Sequence, residues 1–485
     1  MVQVNSVGIV GGGSAGWLTA LFLQKTYNQL DITVVEDPDV PPIITGESCT
    51  IPFVEMLEYL GIDFTQWIQE ADAFPKLGGE FLNWRYEGSR FIQPLFSYYA
   101  NKFNLENPEF SENYILAKGA LALDFPISKL SIAGHLIDNK KIHINNNSML
   151  LKSMYHFDSR KNADFLKQEG IRRGIKVLHT KVLDASLNPN GLIHSLITNT
   201  ESLAYDFYFD CTGFRQLLVK KIGNKFTNFE DKIFTNSVLA WWDESEKLPF
   251  TQMSAYDYGW RFNISLSSRS GNGYIYNNNY ITKDQAKEEI ERRIGKSITP
   301  IASLTWKPEC LLTPWKGNTL AIGLSAGFLE PLGSPGHTLI SLQLRLLNDF
   351  FNHSITDKNA RSYNARYEAL INDTAKFINL HYLGKKSNTK FWIDRLQDSN
   401  EFLEDLIVSA IDYKKIEAYS FENYAVVIQG IGLSPKEDLL KYLKFKNPHL
   451  INIVQDELTR LNTFFEELTV GCENINFWKK LWLKQ

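Results

Sequence analysis

Apolar positions along the chain change period repeatedly, and each change marks the end of one element and the start of the next. Residues 6–10, Ser-Val-Gly-Ile-Val, are a short continuous apolar run that predicts a buried strand. The run enters Gly11-Gly12-Gly13-Ser14-Ala15-Gly16, and from Trp17 to Lys25 the spacing becomes helical. A second run, Ile32 to Val35, ends on Glu36. Phe53 to Leu60 reads as a helix, Tyr155-His156-Phe157-Asp158 as the opening of a helix through Arg173, and Lys176 to His179 as a strand followed by a hairpin around 188–191. The next apolar strand, Phe207-Tyr208-Phe209, ends in Asp210-Cys211-Thr212-Gly213. Aromatic and polar residues alternate over 235–280, the period of a half-buried antiparallel sheet. Residues 283–294 form a charged amphipathic helix, residues 90–150 lack a clear period, and 339–485 read as mostly helical with a break near 384–390.

The glycine turn gives the first segment its chemistry. Gly11, Gly13 and Gly16 fill the G-x-G-x-x-G pattern between a strand and a helix. The first glycine permits the tight turn, the second lets the backbone approach a pyrophosphate, and the third lets helix and strand pack closely. Glu36 lies 20 residues after Gly16, where a carboxylate accepts hydrogen bonds from an adenosine ribose. The motif sits near the N-terminus of a long chain with later cofactor-like segments, which favours FAD over NAD.

Residues 319–340 repeat the same shape. An apolar run, Leu320 to Leu324, enters a turn rich in Gly, Ser and Pro and leaves into helical spacing near His337. Bare backbone N–H groups and the positive end of a helix dipole suit an anion or the electron-rich edge of a cofactor. An ordinary Pro/Gly helix start has the same composition. The turn Thr45-Gly46-Glu47-Ser48 before Pro52 is equally compatible with a loop along a flavin and with a helix cap. Lys76, set among apolar residues and glycines, is either a surface lysine or an amine activated by desolvation beside a cavity.

These elements predict an α/β fold: an FAD-binding Rossmann-type three-layer domain, an inserted, mainly antiparallel β platform for substrate, and a helical C-terminal region. The expected division is 1–89 and 151–232 for the two parts of the FAD-binding domain, 90–150 for a substrate-side insertion and 233–300 for the β platform. Residues 301–350 then form the cofactor-side loop and helix, and 351–485 the helical region.

Composition narrows the function. Of 485 residues, 44% are hydrophobic and 22% charged, ordinary globular values that exclude disorder and collagen-like repeats. A net charge of −4 without a basic block excludes a nucleic-acid footprint. Four cysteines (Cys49, Cys211, Cys310, Cys472) are widely spaced, which fits a reducing compartment and gives no metal site. The first strand leaves no room for a signal peptide, and no uncharged apolar run is long enough to span a bilayer. A soluble cytoplasmic protein is expected, with no membrane partner, and homo-oligomerisation is compatible with this composition.

Several segments, in order, resemble the flavin-dependent halogenases of the tryptophan-halogenase type. They are the Gly11–Trp17 turn, Gly46-Glu47-Ser48 with Ile51-Pro52, Lys76-x-Gly78-x-x-Phe81-x-x-Trp84, Tyr155-His156-Phe157-Asp158, Asp210-Cys211-Thr212-Gly213-Phe214-Arg215 and Phe328-Leu329-Glu330-Pro331-Leu332. Phe377 to Tyr382, Phe391-Trp392 and Gly430-Ile431-Gly432 extend the likeness toward the C-terminus. The resemblance implies FAD supplied as FADH2 by a separate flavin reductase, O2 and a halide ion as co-reactants, and a hypohalous acid formed at the flavin. It further implies that Lys76 holds this oxidant and presents it to a small electron-rich aromatic substrate. On the flavin side it implies contacts from Gly11, Gly13, Ser14, Ala15, Gly16, Glu36, Gly46, Glu47, Ser48, Gly323, Pro331 and Leu332.

Two departures from the family pattern change the expectation. The aromatic signature Trp-x-Trp-x-Ile-Pro becomes Trp260-x-Phe262-x-Ile264-Ser265, keeping Trp260 and Phe262 as the substrate wall. After Glu330-Pro331-Leu332 the family's Glu-Ser-Thr-Gly becomes Gly333-Ser334-Pro335-Gly336. A glutamate is lost, Ser334 stays beside Lys76 in the implied catalytic set, and Pro335 has no N–H, leaving the amides of Gly336 and His337 as the halide donors. Losing one transition-state hydrogen bond lowers the rate by roughly 10²–10³ for a poorly activated ring. Activated indoles or phenols, and bromide or iodide, tolerate that loss better than free tryptophan and chloride. The alternatives are a flavin-dependent aromatic monooxygenase acting without halide, and a flavin-binding protein without catalysis.

Overall fold

The computed structural model describes residues 2–40, 46–95, 125–145, 148–149, 151–244, 246–352, 354–384, 388–396, 418–419, 421–433 and 449–478. The chain divides into two units. The first comprises Met1–Ala73, Phe157–Ile233 and Trp306–Ala375, the second Phe74–His156, Phe234–Thr305 and Lys376–Gln485.

The first unit is built on a six-stranded sheet in the order Lys176–His179, Asp31–Glu36, Ser6–Val10, Phe207–Asp210, Thr319–Ala321, Trp315–Lys316. The first five strands are parallel and Trp315–Lys316 closes the edge antiparallel. Val7, Ile9, Val34, Phe207 and Phe209 are fully or almost fully buried, as a sheet covered on both faces requires. Helix Ser14–Thr26 follows the first strand and packs on helix Ser159–Arg172, with the Trp17 ring against Gly170, where a Cβ would lie 2.6 Å from the ring. Parallel strands put their carboxyl ends on one edge, so the glycine turn, Glu36, the 210–213 turn and Gly323 emerge together, where open α/β sheets bind their ligands.

The second unit contains a seven-stranded sheet in the order Ala302–Thr305, Ser237–Asp243, Ser270–Tyr276, Gly259–Ser265, Thr251–Ala255, Gly78–Leu82, Arg90–Pro94. The expected antiparallel pattern holds throughout this sheet with one exception. Thr251–Ala255 and Gly78–Leu82 run parallel, because a strand from the earlier segment joins the later meander. Ser270–Tyr276 is buried along its whole length rather than half-buried, since helix Lys283–Ile294 covers the face carrying Tyr274 and Tyr276. That helix has a capping box between Thr282 and Gln285 and ends on Gly295 in the left-handed region, so local sequence alone fixes both of its ends.

Three boundaries differ from the sequence reading. The segment expected to open a helix is the strand Met154–Asp158, and the helix begins at Ser159 because the Asp158 carboxylate caps the Lys161 amide at 3.0 Å. The apolar run at 320–324 is strand only to Ala321; Gly323 turns the chain with φ of +66°. The helix expected near His337 starts two residues earlier, at Pro335, whose missing N–H is harmless in a first turn. The aperiodic stretch 90–150 holds strand Arg90–Pro94, helix Ile132–Asp138 and a short hairpin at 144–149, while 96–124 lies outside the described residues. Among the described residues no helix is long and apolar enough to cross a membrane, and no cluster of His, Cys, Asp or Glu is arranged to hold a metal ion. All four cysteines are buried thiols.

Candidate active site

In the first unit the chain reversal at Gly11 is tight enough to demand glycine. Its φ is +119°, and a Cβ there would lie 2.2 Å from the Cys211 carbonyl oxygen. At Gly16 a Cβ would strike the Gly11 carbonyl oxygen at 1.9 Å, so this residue lets the helix seat on its own turn. Gly13, the N-cap of helix Ser14–Thr26, is different: nothing lies within 4 Å of where its Cβ would be, and no side chain caps the helix. The first-turn amides therefore face open space at the positive end of a 13-residue helix, a cradle that fits a pyrophosphate.

Glu36 ends the neighbouring strand with 8% exposure. One carboxylate oxygen, Oε1, accepts from the Lys167 ammonium and lies 2.9 Å from Nδ1 of His179. The other, Oε2, lies over the turn, 2.0 Å from the position a Cβ on Gly12 would take. Asp210, at the end of the next strand, is fully buried and wholly used within the protein. Its Oδ1 takes the Thr212 amide and hydroxyl, and its Oδ2 takes the Leu218 and Val219 amides at 2.8 and 3.0 Å. It therefore shapes the turn and leaves Glu36 as the carboxylate open to a ribose. The glycine cradle and the open oxygen of Glu36 together match the two polar ends of an adenosine diphosphate, so the residues present fit FAD.

The second cofactor-side loop converges on the same unit. Gly323 approaches helix Ser14–Thr26, where an added Cβ would sit 3.2 Å from that of Ala15, and its amide donates to Gln343 Oε1 at 3.0 Å. Pro331 is half-buried, its carbonyl accepting the Ser334 amide at 3.1 Å, whereas Leu332 is a core side chain. Ser334 occupies the left-handed region, φ +61° and ψ +47°, as the N-cap of helix Pro335–Phe350, and its own side chain does not cap that helix. Instead the Ser334 hydroxyl donates to the Ser48 hydroxyl at 2.9 Å. The Ser334 carbonyl accepts from Thr338, which leaves Thr50 donating to the Thr338 hydroxyl at 2.7 Å. These bonds join strand Gly46–Ser48 and its following turn to the start of the helix.

The Gly336 and His337 amides lie in the first turn of that helix. Gly336 faces open space apart from Glu47 Oε2, 3.8 Å from the Cβ it lacks. The His337 side chain is not at the surface: its ring packs edge-on to Phe53 and Phe157, and Nε2 has no hydrogen-bond partner among the described residues. Burial pushes its pKa down to about 4, so the ring is neutral and only the backbone of His337 is suited to an anion.

The second unit contains Lys76, Trp260 and Phe262. Lys76 ends strand Phe74–Lys76 with 6% exposure, a depth at which lysines are rarely found. The strand pairs with Met154–His156 in the register Lys76 to Met154 and Phe74 to His156. Side chains two apart share a face, so Lys76 and His156 project to the same side of this pair. His156 is fully buried; its Nδ1 donates to the Ser265 carbonyl at 3.2 Å, and its Nε2 therefore accepts from the Thr251 hydroxyl at 2.8 Å. Burial, and then the nearby Lys76 ammonium, hold its pKa well below the usual imidazole value. Trp260 is 1% exposed, with Nε1 donating to Tyr382 at 2.9 Å and its ring against Trp84. It is a core aromatic, whereas Phe262 stays partly accessible above Gly273.

Sequence reasoning missed Lys167, His179, Thr251 and His156 as partners of the site residues. No spacing rule links Lys167 to Glu36 across 131 positions. For His156 one signal existed: a histidine within an apolar strand opposite Phe74, where a buried imidazole needs two polar partners.

The family pattern of the tryptophan halogenases matches residues 6–443. The tryptophan 7-halogenase RebH of Lentzea aerocolonigenes is 28% identical to this chain, over 89% of this chain and 90% of its own. The tryptophan 6-halogenase ThaL of Streptomyces albogriseolus is also 28% identical, over 90% and 91%. Among solved structures, the tryptophan 6-halogenase SttH of Streptomyces toxytricini superposes with a TM-score of 0.87 at 23% identity, covering 99% of this chain and 100% of that one. BrvH, a flavin-dependent halogenase of a Brevundimonas species, gives 0.85 at 23%, covering 99% of each. With a cradle and an open carboxylate oxygen that fit FAD, and a family match over nearly its whole length, the chain belongs to the tryptophan halogenase family and is a flavin-dependent halogenating enzyme.

Proposed function

We propose that this enzyme halogenates an electron-rich indole- or phenol-type substrate other than free tryptophan, with Lys76 directing the halogen and bromide or iodide favoured over chloride. Bound reduced FAD, delivered by a separate flavin reductase, supplies with O2 and halide the hypohalous acid. The protein's own contributions are distinct. Gly11 to Gly16 and Glu36 hold the dinucleotide, and Gly46, Glu47, Ser48, Gly323, Pro331 and Leu332 shape the flavin side. Ser334, pinned to Ser48, fixes the loop from which the Gly336 and His337 amides face the halide.

Lys76 carries the reading. A lysine with 6% exposure on a strand carries a desolvation cost that most lysines avoid, and an ammonium there donates a hydrogen bond to an oxidant and orients it. Burial, and then the Lys76 ammonium itself, keep His156 uncharged on the same face, so no second cation competes. Phe262 offers its accessible ring as a wall for a flat substrate. Gly333 carries no carboxylate to assist ring deprotonation, which selects rings activated enough not to need it.

The altered Gly333-Ser334-Pro335-Gly336 loop is also the observation favouring a halide-independent monooxygenase, since Pro335 withdraws one backbone donor from the halide. Product masses decide between the two. The enzyme, FAD, a flavin reductase and NADH are incubated with indole, a phenol and free tryptophan in chloride, bromide, iodide and halide-free buffers. Halogen mass shifts on indole or phenol, larger in bromide or iodide and weak on tryptophan, support the proposal. A one-oxygen shift in every buffer supports the monooxygenase and overturns it.

A further inference from the structure

We infer that Lys167 is a positioning residue for FAD, holding Glu36 so that one carboxylate oxygen is left for the adenosine ribose. This rests on the reading of the first unit as the flavin site.

A carboxylate has about four acceptor positions, two on each oxygen. On Glu36, Oε1 is engaged within the protein: it accepts from the Lys167 ammonium of helix Ser159–Arg172, and His179 Nδ1, at the end of strand Lys176–His179, lies 2.9 Å from it. Oε2 has no protein donor among the described residues and lies against Gly12, on the side of the glycine turn. The split fixes the plane of the carboxylate. Rotation about the last side-chain bond would bring Oε1 over Gly12 only by breaking a charge-assisted bond to Lys167.

Charge points the same way. Glu36 is 8% exposed, and a carboxylate at that depth next to a pyrophosphate would repel the ligand it is meant to hold. Lys167, with 27% of its side chain exposed, supplies the compensating charge from the far side, where it does not occupy the ribose position. His179 is half-exposed and stands beside the same oxygen. The pair lies 131 residues apart in sequence, so the arrangement is made by the helix and sheet packing and not by a local turn.

The test is binding of oxidised FAD, followed by the change in its fluorescence, to the full-length protein and to Lys167→Met, Lys167→Arg, Glu36→Gln and the double variant Lys167→Met/Glu36→Gln. Loss of one charge-assisted contact predicts about tenfold weaker binding for Lys167→Met and near-complete recovery in Lys167→Arg, which keeps a cation at the same place. The distinguishing result is the double variant: once Glu36 is Gln, Lys167→Met weakens binding less than twofold further. If Lys167→Met weakens binding equally with and without Glu36, or leaves it unchanged, Lys167 does not act through Glu36 and the inference is overturned. If the unaltered protein does not bind FAD at all, the flavin-site reading itself is overturned, a result distinct from either.

Discussion

The hydroxyl of Ser334 donates to the hydroxyl of Ser48 across 2.9 Å, and this bond helps fasten the loop before helix Pro335–Phe350 to the end of strand Gly46–Ser48. Ser334 pays for its position with a left-handed backbone, φ +61°. The two effects separate by mutation. Ser334→Ala keeps the strained backbone and loses the bond, lowering stability by about 1 kcal/mol. Ser334→Gly loses the same bond but relieves roughly 1–2 kcal/mol of left-handed backbone strain, more than the roughly 0.5–1 kcal/mol of added chain entropy that glycine costs, so its Tm lies above that of Ser334→Ala. Thermal unfolding of both variants checks the order.

His143 predicts a stability change of the opposite sign. It is fully buried beside Trp478, and neither ring nitrogen has a hydrogen-bond partner among the described residues. Burial moves its pKa from 6.5 to about 4. A depressed imidazole pKa means the unfolded chain binds the proton first, so the stability it supports is complete above pH 6.5 and is lost as the pH falls toward 4. His143→Phe removes both the orphaned N–H, which costs about 1–3 kcal/mol, and this titration. The variant is as stable as the parent or more so at pH 7. Its unfolding free energy falls less steeply between pH 6.5 and 4, by up to about 1.4 kcal/mol per pH unit. Urea titrations at several pH values measure both quantities.

What the sequence made legible follows how local each signal is. The glycine turn, Glu36 and the parallel strands are readable because the pyrophosphate cradle needs glycines at fixed offsets, and helix Lys283–Ile294 is readable because Thr282, Gln285 and Gly295 mark its ends. Asp158 misled the reading because a cap looks like the first helical residue when the strand before it is equally apolar. Trp260 and Phe262 are two residues apart with the same hydrophobicity, and only packing decides that Tyr382 and Trp84 enclose one of them. The partners of Glu36 and His156 come from distant segments and leave no periodic trace.

Gly273 sets where the Phe262 ring lies. The two residues are directly paired, and a Cβ on Gly273 would fall 2.3 Å from that ring. Gly273→Ala therefore displaces Phe262 without touching the first unit's glycine cradle. The expected result is a several-fold rise in KM for the aromatic substrate with FAD affinity unchanged, read from steady-state kinetics alongside flavin binding.

Thr251 supplies the hydroxyl that holds His156 Nε2 at 2.8 Å. Thr251→Val keeps the shape and leaves a buried acceptor without its donor, a loss of about 1–3 kcal/mol. Thr251→Ser restores the donor and recovers most of that stability. Chemical denaturation of the pair distinguishes loss of the hydrogen bond, where only Val is weak, from loss of packing, where both are.

The central claim is that Lys76 acts on the halogen after the flavin has reacted, and the ratio of halogenated product to flavin oxidised tests it most directly. The measurement uses the parent enzyme and Lys76→Ala with a flavin reductase, NADH, bromide and an indole or phenol substrate. The account predicts that Lys76→Ala oxidises flavin within a few-fold of the parent rate while product per flavin falls on the order of 10²-fold. Brominated product at the parent ratio in Lys76→Ala would contradict it.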